Sequence, residues 1–289
     1  MANFADIHTH FFLPFKTSAK LWCEQQNEPY WGSLLAPQNR KTLQDFTEKE
    51  TFLAAMDNAG IKRCVLNGAY WQNTKTCMYA NDAALEFAKT HPNRISAFVA
   101  INPADFEGSK KILQSAKSRG FCGVGELCDA VQNFSYSSPE FLKLMQICDA
   151  ENLPVCLHLG DPFGKMYSGK IFTDNNAAFA LADKFENINF IFAHLAGGEI
   201  LRRKFAKKNV FFDTAAFPLL YGKECWQTAF ENSGGNLLFG SDYSLRLYPK
   251  TQKTADIKTL KEEAAQNLPQ KFLPDFFENN ARKVLGFEI

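Results

Sequence analysis

One alternation constrains this chain more than any other feature. Short β-rich apolar runs are each followed by a polar or glycine-containing loop and then by a longer stretch with helical spacing. The runs fall at 4–8, 64–67, 95–101, 123–127, 155–159, 190–195, 210–214 and 237–239; between them helices are expected at, for example, 48–58, 78–90, 140–151 and 175–185. Parallel neighbours need a long crossover, and a helix between successive runs supplies it. Eight strand–helix units suit an open doubly wound sheet or a closed (β/α)8 barrel.

Polar residues at the ends of the runs separate the two. His8 and His10 end the first run in Asp6-Ile7-His8-Thr9-His10, and Glu126 lies in the fourth, Gly123-Val124-Gly125-Glu126-Leu127. His158 ends the fifth, His194 the sixth, and Asp242 follows the eighth in Gly240-Ser241-Asp242-Tyr243. Only a closed barrel gathers those strand ends around one point. The expected fold is therefore α/β, a single (β/α)8 TIM barrel over 1–289, with no linker or repeat to mark a second domain. The last segment, 275–285, reads as a helix on the outside. A long loop at 11–46 carries Phe11, Phe12, Phe15, Trp22, Tyr30 and Trp31, as a lid or a packed rim would. The loop at 161–173, with two glycines, reads as a mobile pocket wall.

Side chains two apart on a strand share a face, so His8 and His10 can reach one ion. Alone, such a pair is more readily two satisfied histidines beside a loop. Four of the five histidines sit at strand ends, however, which packing would not select, and a borderline divalent ion favours convergent nitrogen donors. The fifth, His91, reads as a helix-end surface residue. Asp242 can ligate the ion and take a proton from water, or merely cap a turn. Glu126, a charge inside an apolar strand, needs a metal or cation beside it. Asp213, Asp161 and Asp6 are candidates for orienting a ligand histidine. Arg246 is a candidate clamp for a substrate carboxylate, against the plainer reading of a surface arginine.

Composition excludes several classes of partner. Lysine and arginine number 32 against 31 acidic residues, so no overall field recruits nucleic acid or an anionic membrane. The start, Met1-Ala2-Asn3, lacks a secretory pattern, and no run reaches the ~18 apolar residues of a membrane helix. Eight cysteines without a Cys-x-x-Cys pair read as reduced thiols, which with the rest implies a soluble cytoplasmic protein. A small-molecule substrate is expected, and self-association into a homo-oligomer is left open. Phe12, Trp22, Tyr30, Trp31, Tyr70, Trp71 and Tyr243 suit a pocket for a flat or cyclic compound.

In order, Asp6-Ile7-His8-Thr9-His10, His158, His194-Leu195-Ala196-Gly197-Gly198 and Gly240-Ser241-Asp242-Tyr243 resemble the amidohydrolase superfamily. The nearest branch is amidohydrolase-2, which includes metal-dependent lactonases and aminocarboxymuconate-semialdehyde decarboxylase. The resemblance implies a divalent ion, zinc first with manganese or iron as alternatives, on His8, His10, His158 and Asp242. It implies that His194 polarises substrate or holds a second ion. Gly-Val-Gly-Glu also resembles the fourth-strand glutamate of TatD-type hydrolases, so Glu126 is a candidate bridge to that second ion. The expected activity is hydrolysis of an ester, lactone or amide by a metal-activated water, with Asp242 as base and His194 stabilising the oxyanion. The rival chemistries are nonoxidative decarboxylation at the same site and two-metal phosphodiester cleavage. A non-catalytic metal-binding barrel is the rival outside enzymology.

Overall fold

The structure, a computed structural model, describes residues 4–12, 18–38, 40–166, 169–205 and 207–286. Met1-Ala2-Asn3 and Phe15 lie outside them. Strand β1 (Ala5–Thr9) pairs in parallel with β2 (Arg63–Leu66), and β2 with β3 (Ile95–Ala97). Strands β4 (Val124–Leu127), β5 (Val155–Leu157), β6 (Phe190–Phe192), β7 (Val210–Asp213) and β8 (Leu237–Leu238) follow one another in a second parallel sheet. The sheets meet at both edges. Val99 bridges Val124, and Thr9 bridges Tyr243, each in parallel. Ile7 N–H also donates to Phe239 O at 3.0 Å, and Asp242 N–H to His8 O at 2.8 Å. The closed eight-stranded barrel matches the eight runs, each shortened or shifted by a few residues.

Alternation along the strands sorts the core into two layers. Val65, Cys156, Ile191, Phe211 and Leu238 pack together inside the barrel. Leu66, Leu157, Phe190, Phe192 and Phe212 instead meet helix side chains such as Phe141, Leu144 and Ala178. The C-terminal helix Asn280–Leu285 differs from expectation. Its Ala281, Val284 and Leu285 join the interior layer, so it covers one opening of the barrel rather than lying along its side.

The aromatic segment is also more ordered than a loop. Ser18 caps α1 (Ala19–Gln26) by accepting from Leu21 N–H, and Pro29 opens α2 (Pro29–Leu35). Trp31 and Phe12 pack there with Tyr70, Trp71 and Cys77 in a third cluster over the rim. Buried Glu28, between the two helices, accepts from the N–H of Gln72 at 2.7 Å and of Asn73 at 3.0 Å. It thereby satisfies main-chain donors at the start of the helix Thr74–Thr90 and ties the inserted helices to the barrel. Burial raises the Glu28 pKa despite those bonds. All eight cysteines are free thiols, and among the described residues no helix is long and apolar enough to cross a membrane.

Candidate metal centre

Two β-bulges aim the polar residues inward. Between Asp6 and Thr9, and again between Val124 and Leu127, three steps of one strand face two of its neighbour. A bulge shifts the side-chain alternation by one. Ile7 and His8 therefore both point inward, and so does Glu126, flanked by outward Val124 and Leu127. Gly240 lets β8 approach: a Cβ there would lie 2.8 Å from His8 Cβ and 3.2 Å from Asp213 Cβ.

The imidazoles are oriented from behind. His8 Nδ1 lies 2.7 Å from Asp213 Oδ2, His10 Nδ1 3.2 Å from Asn67 O, and His194 Nδ1 3.0 Å from Ala215 O. Each acceptor calls for a proton on Nδ1, which leaves Nε2 as a lone pair facing the centre. His8 Nε2 and His10 Nε2 are then two lone pairs 3.2 Å apart, an arrangement that a cation between them satisfies. Asp242 Oδ1 lies 3.4 Å from His10 Nε2 and 4.0 Å from His8 Nε2; Glu126 Oε2 lies 3.6 and 3.7 Å from them. Donors about 2.0–2.1 Å from a tetrahedral ion stand roughly 3.3 Å apart; His8, His10 and Glu126 form a group close enough to share a cation, and Asp242 stands at its edge.

Glu126 has a second face. Its Oε1 lies 2.8 Å from His158 Nδ1 and 3.3 Å from His194 Nε2, which are 3.1 Å from each other. Of the ligands the sequence suggests, His8, His10 and Asp242 stand together, whereas His158 sits across Glu126 beside His194. Glu126, ranked as an optional bridge, is the centre of the cluster. Each of its oxygens faces one histidine pair.

The titration behaviour has one electrostatic theme. Burial would raise the Glu126 pKa, but His158 and His8 outweigh it and hold the carboxyl well below its usual range. Burial disfavours charged His8 and His194, yet Asp213 and Glu126 raise the first well above normal, and Glu126, Asp242 and Asp213 raise the second to about 9. His158 is lowered, since burial prevails over Glu126. Burial raises the Asp213 pKa too, but His8 overcomes this and the net shift is downward. A buried anionic centre that draws protons onto its imidazoles is one that a metal ion can occupy instead.

Asp213, Asp6 and Asp161 divide as follows. Asp213 orients His8 and accepts from the N–H of His194 and Ala215. Asp6 joins the β1 bulge to the end of β8 through His8 N–H and Ser241 N–H, and burial pushes its pKa to about 7. Asp161 accepts from Phe163 N–H and Gly164 N–H within its own loop. His91 lies apart, against Phe87 and Thr90.

A cavity of about 510 Å³ lies over the donors. His10, Glu126, His158, His194 and Asp242 line it, together with Phe12, Tyr30, Trp31 and Tyr70 and the exposed cations Arg40 and Lys165. Trp22, Trp71 and Tyr243 do not line it; they pack on Tyr79, Trp31 and Phe52. Nor does Arg246, whose Nε lies 3.3 Å from Asp45 Oδ1 and whose guanidinium donates to Thr42 O. Leu245 pairs with Gln44 in an antiparallel bridge, which carries Arg246 away from the cavity. No spacing or motif marks Arg40 or Lys165 in the sequence. A wider hollow of about 700 Å³ between α1 and α2 holds none of the metal donors.

The family model described as amidohydrolase matches residues 5–287. The chain belongs to the amidohydrolase family. No curated protein matches this amidohydrolase in sequence. Among solved structures it is similar to 2,6-dihydroxybenzoate decarboxylase from Rhizobium, with 17% identity, 99% of each chain covered and a TM-score of 0.70. It is similar to 5-carboxyvanillate decarboxylase from Sphingomonas paucimobilis, with 12% identity, 99% and 100% covered and a TM-score of 0.69. A third is dihydroxybenzoic acid decarboxylase from Polaromonas sp. JS666, solved with manganese and the inhibitor 2-nitroresorcinol. There identity is 16%, coverage 99% and 97%, and the TM-score 0.71. At such identities the likeness establishes the (β/α)8 fold of this amidohydrolase, and the donor set supports a divalent metal.

Proposed function

We propose that this amidohydrolase holds a divalent ion on His8, His10, Glu126 and Asp242 and decarboxylates a small aromatic carboxylic acid without an oxidant. The cavity carries this reading. Phe12, Tyr30, Trp31 and Tyr70 line a space suited to a planar ring, the donors lie on the same space, and Arg40 and Lys165 favour an anion. The activities named for the three structural neighbours are decarboxylations of aromatic acids, which supports the same choice over the hydrolysis expected from sequence. Manganese, bound in the Polaromonas neighbour, joins zinc as the ion to test.

When bound, the ion supplies Lewis-acid neutralisation of the substrate's oxygens. The protein supplies the proton and the geometry. Asp242, on the cavity, takes a proton from the substrate's own acidic group or from solvent and delivers it to the ring carbon bearing the carboxylate. The carbon–carbon bonding pair returns to the ring as carbon dioxide leaves. His194, fixed by Ala215 O, turns Nε2 toward Glu126 and, in its protonated form, favoured by a pKa raised to about 9, donates from it to the substrate oxygens. The aromatic walls stack on the ring and keep water from it.

Hydrolysis is the second reading, favoured by Glu126, whose two oxygens each face a histidine pair as a carboxylate shared by two cations would. Asp242 would then take the proton of an attacking water, and His194 would stabilise the oxyanion.

Metal-loaded protein incubated with carboxylated phenols in D2O should release carbon dioxide and place one deuterium on the vacated ring carbon. Cleavage of lactones or amides with ¹⁸O entering the product from labelled water, and no carbon dioxide from any acid, would replace the first reading by the second. Asp242→Asn, with metal in excess, should fold and lose turnover by ~100-fold or more, the scale of a lost acid–base group. Full speed in that variant would assign the proton to another group.

A further inference from the structure

We propose that one buried water molecule joins Trp71 Nε1–H to Asn67 Oδ1, and that Asn67 so held is a positioning residue for His10. Asn67 follows β2 and clamps the functional end of β1 by three bonds. Its N–H donates to Thr9 O at 2.7 Å, its Nδ2 donates to Ile7 O at 3.1 Å, and its main-chain oxygen faces His10 Nδ1 at 3.2 Å. The Nδ2 bond fixes which way the amide points, since the flipped amide would set two oxygens against each other. Its Oδ1 is then left buried without a partner.

A complementary orphan lies nearby. Trp71 is 3% exposed and its Nε1–H, a donor with no acceptor capacity, also has no partner. Trp71 and Asn67 line one small cavity of about 30 Å³, which His10 lines as well. That volume is enough to hold a water, and a buried water needs two or more polar partners. Water accepts from the indole and donates to the amide oxygen, satisfying both atoms at once. Of the rest of the lining, Phe11, Phe12, Leu66, Ala80, Ala84 and Phe98 are apolar, and the amide of Asn81 is already bonded to the N–H and O of Ala100. Removing the donor frees Asn67 to shift, and the carbonyl that orients His10 shifts with it.

Two measurements test this, and only the second rests on the ligand role proposed for His10. In an ¹⁵N-edited NOE experiment on the metal-loaded protein, the Trp71 indole proton should show a cross-peak to a long-lived water, and a crystal structure should show density bridging the two atoms. No cross-peak and no density overturns the water. Trp71→Phe, close in shape but without the donor, should raise the Kd for manganese or zinc about threefold to tenfold, below the 10–100-fold of groups touching a ligand directly. A folded Trp71→Phe protein with the parent's ion affinity and an unchanged His10 ring ¹⁵N spectrum overturns the positioning role. Should that variant fail to fold, the parent's His10 Nδ1 decides: a proton there hydrogen-bonded to a carbonyl supports the role, and its absence refutes it.

Discussion

Gly240→Ala tests whether the centre is as tightly built as its contacts imply. The added Cβ would stand 2.8 Å from His8 Cβ and 3.2 Å from Asp213 Cβ, with Asp213 Cγ at 3.5 Å. Carbon atoms rest about 3.5–4.0 Å apart, so His8 or the β8 backbone must yield by roughly 0.7 Å or more. Neither is free to do so. Strand β1 is held through Ile7 N–H to Phe239 O and Asp242 N–H to His8 O, while Asp213 is held by His8 and two main-chain amides. Overpacking of this kind costs about 1–3 kcal/mol. In a chain of this size that lowers the melting temperature by about 2–4 °C per kcal/mol.

The larger effect should fall on the ion. A displacement beyond ~0.5 Å exceeds what a metal site tolerates, and the shift acts on His8 and on the Asp213 bond that orients it. Calorimetric titration of the metal-free variant should show ion affinity reduced at least 10-fold, alongside the modest loss of melting temperature. Unchanged affinity and melting temperature together would mean that β8 and β1 have slack at Gly240, and the packing derived above would be wrong.

Glu28→Leu should strip the N–H groups of Gln72 and Asn73 of their acceptor and cost about 1–3 kcal/mol for each; chemical denaturation reads the loss, and ion affinity should stay at the parent's value. The pH dependence of stability should reverse on removing the metal. The His194 pKa, raised to about 9, means that the metal-free protein draws stability from the protonated ring, fully present below about 6.5 and lost as pH rises through about 9. With the ion loaded, protons compete for the same imidazoles, so stability should fall toward acid. Melting curves of chelated and metal-loaded protein across that range check both signs, and parallel trends would contradict the electrostatics of the centre.

The barrel was legible because eight runs and their crossovers leave few topologies, and because polar residues at five run ends need a common meeting point. Aromatic composition disguised α1 and α2, although Ser18 before Ala19 and Pro29 at a first helical turn are ordinary start signals. The bulges were not legible. A bulge is set by the register between two strands, and nothing in Asp6-Ile7-His8 or Val124-Gly125-Glu126 alone says that the alternation slips there. That slip is why Glu126 reaches the middle of the cluster. Arg246 follows Asp242 by only four residues, yet pairing of Leu245 with Gln44 turns the chain toward the segment at 42–45, and the plainer of its two readings suits that placement.

Charge counting at the centre ties ion number to substrate. With the imidazoles neutral, Glu126, Asp213 and Asp242 bring three negative charges into a region almost closed to water. One divalent ion leaves a net negative charge, which repels an incoming carboxylate. Arg40 and Lys165, both lining the cavity, are then the groups able to offset that repulsion. Two ions leave a net positive charge, which a substrate carboxylate neutralises by itself. The backbone adds its own constraint: His194 and Asp242 are both held at positive φ, 56° and 60°. Such conformations cost roughly 1–3 kcal/mol each and persist where surrounding contacts over-determine them. Here those contacts include Asp213 to His194 N–H and Asp242 N–H to His8 O, so part of the strain, which Leu195, Ala196 and Ala216 share, sits on the two residues proposed to act on the substrate and is balanced by bonds that also hold His8.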